Sequence, residues 1–351
     1  MKILYSVQAT GNGHISRAME LMPHLAQYGK VDVFLSGSNS HLQPLLPIKY
    51  RSKGLSLFYG NNGGLDYWHM WKKFSVKRIW KEARELPVEK YDLVLNDFES
   101  ITSLACKLKN VPSIGFGHQA SFQSKHTPRG SKKDITGELI LKQYATASDY
   151  VGLHFTQYDD FIFSPVIKQE ILQAEPTEKV HITVYLSHYS DEVVLNELHK
   201  IKDISFEVFS KKVRQPTISA NVTLFPISNE GFTQSLIYSQ GVITGAGFET
   251  PAEALYLGKK LLVLPIKGQY EQLCNAAALK ECKVSVVDQI EVDFHSRILQ
   301  WLSSPSIVPL QLSHNTYQIV QMAIEKGRAL QKTNGLSSDN LLTEDDLLVM
   351  F

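Results

Sequence analysis

The stretch ITGAGFETPAEALYLGKKLLVLPIKGQYEQLCNAAAL, residues 243–279, is the part of the chain best suited to hold an anion. It runs from a strand end through Gly245 and Gly247 into a helix with Thr250 as N-cap, Pro251 at the first helical position and Gly258 at its end. Small residues ahead of a helix let a ligand reach unpaired backbone N–H groups. The helix dipole favours negative charge there, so a diphosphate fits. The same residues have a second reading: Thr250 and Glu253 stand at the T-x-x-E spacing of a capping box, in which Glu253 bonds only its own helix. The next helix buries Tyr270, Leu273, Cys274 and Ala277 and leaves Gln272 and Asn275 together on another face, with Glu271 beside them. At the other end of the chain, GNGH (11–14) is a glycine turn that sets His14 at a helix start. Histidine titrates near neutrality and can carry a proton, although a plain hydrogen bond at the helix start also explains it.

These residues need elements to position them. MKILYSVQATGNGHISRAMELMPHLAQYG reads as a strand (2–7), a turn, and a helix with the apolar stripe Ile15, Ala18, Met19, Met22, Leu25 and Ala26, kinked at Pro23 and ended by Gly29. VDVFLSG (31–37), YDLVLND (91–97) and VPSIGFG (111–117) are further strands, with a helix marked by Ile101, Leu104, Ala105 and Leu108 before the last. The alternation starts again with HITVYLS (181–187), ISFEVFS (204–210), VTLFPIS (222–228), GVITG (241–245) and KLLVLP (260–265). Two α/β series predict two doubly wound parallel sheets, residues 1–164 and 165–351, divided near FSPVIKQE (163–170). Ligands of such sheets bind beyond the carboxyl ends of the strands, so the loops carrying His14, Asp97, Glu99, His118, Gln119, Ser187 and Gly245 are expected to open on one cleft. A last helix at about 315–330 is expected to return to the first domain, with hinge closure about 163–170 when ligand binds.

The composition agrees with this division. A chain of 351 residues, 43% hydrophobic and 20% charged, is long for one α/β domain and suits two. A net charge of +1 gives no electrostatic case for nucleic acid. Cys106, Cys274 and Cys282 have neither the even count of a disulfide framework nor a CxxC spacing, which fits a reducing compartment. The apolar run Ile3–Val7 is too short for a signal peptide and nothing approaches a membrane span, so a cytoplasmic protein is expected.

Residues 222–279, with the GNGH turn, resemble GT-B glycosyltransferases, in particular the group containing the lipid-linked peptidoglycan N-acetylglucosaminyltransferase and the plant and macrolide UDP-sugar transferases. The resemblance implies a GT-B architecture of two Rossmann-like domains around a cleft. It implies that Gly245, Ala246, Gly247 and Phe248 lie along the donor diphosphate, with Ser187 as a further contact. Glu253 then takes the ribose hydroxyls, Glu271 and Gln272 the donor sugar, and Phe225 and Ile227 the base. It also implies that His14 is the general base and Asp97 the carboxylate that orients it. An acceptor hydroxyl is too weak an acid to attack C1 unaided, so a neutral imidazole removes its proton while the carboxylate steadies the imidazolium. Gly13, Arg17, Glu99, His118 and Gln119 are the candidate acceptor-side residues. The resemblance thus implies an inverting transfer of a hexosyl or N-acetylhexosaminyl group from a nucleotide-sugar, a UDP-sugar first, to a hydroxyl of a cell-envelope glycan or lipid-linked precursor.

DYWHMWKKFSVKRIWKEAR (66–84) mixes Trp68, Trp71, Phe74 and Trp80 with lysines and arginines. Peripheral contact with an anionic membrane at its inner face is one reading of it. In the other, Trp71, Phe74, Val76 and Ile79 face the core and the basic residues face water. A dinucleotide-dependent oxidoreductase fits poorly: Ser16 stands where GxGxxG needs its third glycine, and the second strand ends in Phe34, Leu35 and Ser36 without an acidic residue. No D-x-D triplet or clustered His/Cys spacing points to a metal, so no metal and no other cofactor is expected. Two rivals keep the fold, a sugar-nucleotide 2-epimerase and a non-catalytic nucleotide-sugar sensor. His14 with Asp97 favours transfer over both.

Overall fold

The computed structural model describes residues 1–9, 12–37, 46–54, 76–132, 134–175 and 181–334. Gly11, the loop 60–67, the aromatic positions Trp68, Trp71 and Phe74, and the tail from 335 lie outside the described residues.

The chain forms two seven-stranded sheets. The first holds β1 (Lys2–Gln8), β2 (Lys30–Ser36), β3 (Ile48–Ser52), β4 (Leu93–Asp97), β5 (Ile114–Gly117), β6 (Asp149–Leu153) and β7 (Ile162–Phe163) in the order β3-β2-β1-β4-β5-β6-β7, all parallel. The second holds β8 (His181–Tyr185), β9 (Ser205–Ser210), β10 (Thr217–Ser219), β11 (Val222–Pro226), β12 (Gly241–Gly245), β13 (Lys260–Leu264) and β14 (Ser285–Val286), ordered β10-β11-β9-β8-β12-β13-β14. Only the edge pair β10–β11 is antiparallel among the pairings of this sheet. Central strands such as β1 and β4 are buried on both faces, which is why they read as mainly apolar runs without polar alternation.

Each sheet reverses its winding direction at one place, between β1 and β4 in the first and between β8 and β12 in the second. Those reversals open the crevices where α/β sheets bind ligands. His14 follows β1 and Asp97 ends β4, while the GAGFE loop follows β12, so the residues with chemical potential stand at the two switch points.

The sheets share a continuous core. Phe155, Phe163 and Val166 from the end of the first series pack in one cluster with Phe248, Ala252 and Leu255 of the second. The last helix, Thr316–Asn334, packs back on β4, β5, β6 and the helix Asn12–Leu25. Gly327 makes this docking close, since a Cβ there would stand 2.2 Å from Leu93 Cδ1, and Lys326 pairs with Asp149 at 2.8 Å. In the described part of the aromatic and basic stretch, Ile79 enters the core, as expected of one reading, but Val76 is 50% exposed. Arg84 stacks its guanidinium 3.8 Å from the Trp80 ring centre. No described helix is long and apolar enough to cross a membrane.

Candidate active site

The helix Asn12–Leu25 is the first element after β1 and carries His14 and Arg17 one turn apart, on the side facing β4. Parallel pairing of β1 with β4 sets Val7 beside Asp97. His14 Nδ1 lies 2.8 Å from Asp97 Oδ1. Arg17 grips the same carboxylate, with Nη2 2.7 Å from Oδ1 and 2.9 Å from Oδ2, and Nε 3.2 Å from Oδ2. The Tyr5 hydroxyl donates to Oδ2 at 3.4 Å. Gly117 (φ +116) completes the nest: a Cβ at this position would stand 2.9 Å from Asp97 Oδ1 and 3.0 Å from Arg17 Nη2.

Burial opposes ionisation of Asp97, but the charges of Arg17 and His14 and their hydrogen bonds outweigh it and hold the carboxyl below its ordinary range. Burial likewise opposes protonation of His14, yet Asp97's charge and hydrogen bond prevail and raise its pKa. Arg17 Nη2 is also 3.0 Å from His14 Nδ1. Both groups are donors drawn to one oxygen, because the anionic carboxylate holds the ring as the Nδ1–H tautomer. Nε2 is then the basic nitrogen.

The second sheet supplies the facing wall. Helix Glu249–Tyr256 follows β12 with Phe248 at its N-cap, and no side-chain cap bond is made. The expected start at Thr250 therefore falls one residue into the helix, and Glu253 does not close a capping box. Instead Glu253 is buried and pairs with Lys168 at 3.2 Å. Burial pushes its carboxyl up from the ordinary value against the pull of Lys168. Gly258 ends the helix in the left-handed region (φ +66), as the sequence indicated. Space ahead of the helix is open, since a Cβ at Gly247 would meet nothing within 4 Å.

Between the walls lies a cavity of about 560 Å³ including its open mouth. From the first sheet it takes Gly13, from the crossing segment Lys168, and from the second Tyr185, Phe209, Ile227, Glu249, Thr250 and Glu253, with neighbouring side chains. Ile227 lines it directly, while Phe225 stands behind, its ring 5.6 Å from that of Phe209. Among the described residues, no three His, Cys, Asp or Glu side chains gather as a metal-holding group.

Other sequence candidates sit elsewhere. Glu99 is no acceptor contact: fully buried, it caps the helix Ser100–Leu108 by accepting from Ile101 N at 3.0 Å and Thr102 N at 2.6 Å. Phe98 (φ +54) turns the chain so that Asp97 and Glu99 diverge. His118 is also buried, stacked on Phe248 with ring centres 4.0 Å apart, its Nε2 2.8 Å from Asn275 Oδ1. It is an interdomain contact, and burial keeps its pKa low. Asn275 is correspondingly inside, donating to Ala246 O at 3.1 Å, and does not share a polar face with Gln272. Gln119 donates to Glu271 at 3.1 Å, again between the domains. Gln272 accepts from Ile266 N at 2.9 Å beside Gly245. Ser187 is exposed and Tyr185, two residues earlier, lines the cavity in its place. Arg17 is not a spare cation, because Nη1 donates to Glu249 Oε1 while the rest of its fork holds Asp97. Glu249 and Lys168 had no signal in the sequence beyond their charge.

The family described as Glycosyl transferase family 1 matches residues 1–303. A Methanosarcina mazei protein described as an uncharacterized glycosyltransferase is 24% identical, with 88% of each chain covered. Among solved structures, Arabidopsis thaliana UGT89C1 complexed with UDP is similar with a TM-score of 0.62 and 14% identity, over 93% of this chain and 99% of that one. UGT89C1 complexed with UDP-L-rhamnose gives 0.55 at 14% identity, over 93% and 94%. The glycosyltransferase SnogD from Streptomyces nogalater gives 0.51 at 12%, over 96% and 99%. The shared fold is GT-B.

Proposed function

The chain belongs to glycosyl transferase family 1 and is a GT-B glycosyltransferase, and from that premise we propose that it moves a hexosyl or N-acetylhexosaminyl group from a UDP-sugar to a hydroxyl, with inversion and without a metal. The observation that carries this reading is the 2.8 Å approach of His14 Nδ1 to ionised Asp97, next in the chain to Gly13 on the wall of the cavity that also takes Glu249 and Thr250 from the start of the facing helix. The UGT89C1 structures complexed with UDP and with UDP-L-rhamnose support a UDP-linked donor.

In this reading the acceptor hydroxyl gives its proton to His14 Nε2 while its oxygen attacks C1 from the face opposite the diphosphate. The bond from C1 to the diphosphate oxygen breaks, and UDP leaves with the electron pair. Asp97 stabilises the imidazolium that forms. The N–H groups ahead of Ala252 and the helix dipole stabilise the departing charge. Glu253 accepts from the ribose hydroxyls, Ile227 flanks the base with Phe225 backing Phe209 behind it, and Glu271 and Gln272 orient the sugar. The acceptor class is a cell-envelope glycan or lipid-linked precursor, met at the inner face of the membrane. Hinge closure about 163–170 brings the walls together on the donor.

A thermal-shift screen of UDP, UDP-GlcNAc, UDP-Glc, UDP-Gal, GDP, dTDP and NAD tests the donor half. A ligand at a hundred times its Kd adds about 2.7 kcal/mol to stability. The expected outcome is a rise with UDP compounds that Glu253→Ala abolishes. A rise with NAD alone, or with no nucleotide, overturns the donor assignment.

A further inference from the structure

We propose that Arg17 is the positioning residue of the catalytic base, and that Glu249, reaching across from the second domain, locks Arg17 in place and raises the proton affinity of that base. The inference rests on the reading of His14 as the base.

The contacts form a chain. Arg17 is 2% exposed and Asp97 0%, so neither charge has water to satisfy it. A guanidinium has its donors in a fixed planar fork. Here Nη2 and Nε hold both oxygens of Asp97 while Nη1 donates to Glu249. Two glycines clear the room. A Cβ at Gly13 would stand 2.5 Å from Glu249 Oε2, and one at Gly117 2.9 Å from Asp97 Oδ1. Glu249 thus enters the first domain beside Gly13, and Arg17 is held from both sides.

Charge balance gives the arrangement a catalytic consequence. Asp97, Glu249 and Arg17 together carry one net negative charge when His14 is neutral and none when His14 has taken a proton. Without the Glu249 charge the same steps run from neutral to positive. Glu249 therefore favours the proton uptake by His14 that the acceptor's loss of a proton requires. The groups facing His14 are Arg17 from its own helix, Asp97 from β4 with Tyr5 of β1 behind it, and Glu249 from the opposite domain. Asp97 and Glu249 favour the imidazolium and Arg17 disfavours it.

The test uses the full chain with ring-labelled histidine. His14 is assigned by its loss in His14→Gln and followed by NMR through a pH titration, beside the acid limb of kcat/KM. Glu249→Gln is expected to move the His14 titration and the acid limb to lower pH, and to lower kcat by about tenfold through lost alignment. Arg17→Gln is expected to move the titration to higher pH. Since Arg17→Gln leaves Asp97 buried without its cation, Glu249→Gln, at a 22% exposed side chain, decides the matter if Arg17→Gln does not fold. A His14 titration unmoved or raised in Glu249→Gln, with transfer still lost in His14→Gln, overturns the coupling alone. Full transfer by His14→Gln overturns the base assignment instead, whatever the titration does.

Discussion

Nδ1 of His14 lies 2.8 Å from Oδ1 of Asp97, a carboxylate with no exposed surface that Arg17 holds by both oxygens. The geometry gives the ring one basic nitrogen, so His14→Ala is expected to lower sugar transfer by a factor of ~10²–10⁴, the usual worth of a general base. UDP should still raise the Tm of the variant, because His14 is outside the donor contacts. Transfer at the parental rate would remove His14 from the chemistry.

The pH dependence follows from the same pair. A base must be neutral to act, and His14 has its pKa raised by Asp97 against the effect of burial. The acid limb of kcat/KM is therefore expected above the ordinary histidine value, and Asp97→Asn should move it to lower pH while reducing the rate. The stability linked to His14 has the opposite sense. It is complete below the unfolded pKa and is lost as pH rises through the folded one. An acid limb at or below the ordinary histidine value would contradict the charge assignment.

Glu253 faces the cavity and also neutralises buried Lys168. Removing one partner of such a pair costs about 3–5 kcal/mol, so Glu253→Ala should lose Tm without ligand as well as its response to UDP. A comparison with 2′-deoxy-UDP separates the effects. The parent should bind it more weakly than UDP, and Glu253→Gln should bind the two alike. A preference for UDP kept in Glu253→Gln would place the ribose elsewhere.

Gly117→Ala combines a left-handed backbone (φ +116) with a methyl group 2.9 Å from Asp97 Oδ1. Strain of this kind costs about 1–3 kcal/mol, and the displaced carboxylate should lower kcat with little change in donor binding. Urea denaturation and steady-state kinetics check the two parts, and an unaltered kcat would mean that Asp97 tolerates displacement.

Phe248 is buried against His118 of the other domain, with ring planes 7° apart. Phe248→Ala is expected to cost about 3–5 kcal/mol. A double-mutant cycle with His118→Ala should show a coupling of about 0.5–1.5 kcal/mol in denaturant unfolding. Strict additivity would mean that the stack is contact without interaction.

Much of the architecture could be read before folding. Strands buried on both faces, such as β1, β4 and β12, are mainly apolar runs, and GQYEQLCNAAAL reads as the helix that the structure begins at Tyr270. The strands β3 (IKYRS), β6 (DYVGL) and β10 (TIS) and the two-residue strands β7 and β14 carry no such pattern and are not in the sequence reading. Their register comes from the neighbouring strand's backbone rather than from their own composition.

The site divides in the same way. GNGH, the strand end at Asp97 and the GAGFETPAE turn are local arrangements, made by residues a few positions apart, so the first-turn place of His14 in a helix and the small residues ahead of another are legible in the chain. Which carboxylate meets which cation was decided only by tertiary structure. Asp97 and Glu99 are two residues apart with similar chemistry, and one positive-φ residue between them sends the first to Arg17 and the second to a helix end. Glu249 differs from other acidic residues only in what lies opposite it, 232 positions away along the chain. Periodicity and capping act through bonds within a turn or two, whereas an ion pair depends on the packing of whole sheets against each other, and no local pattern records that.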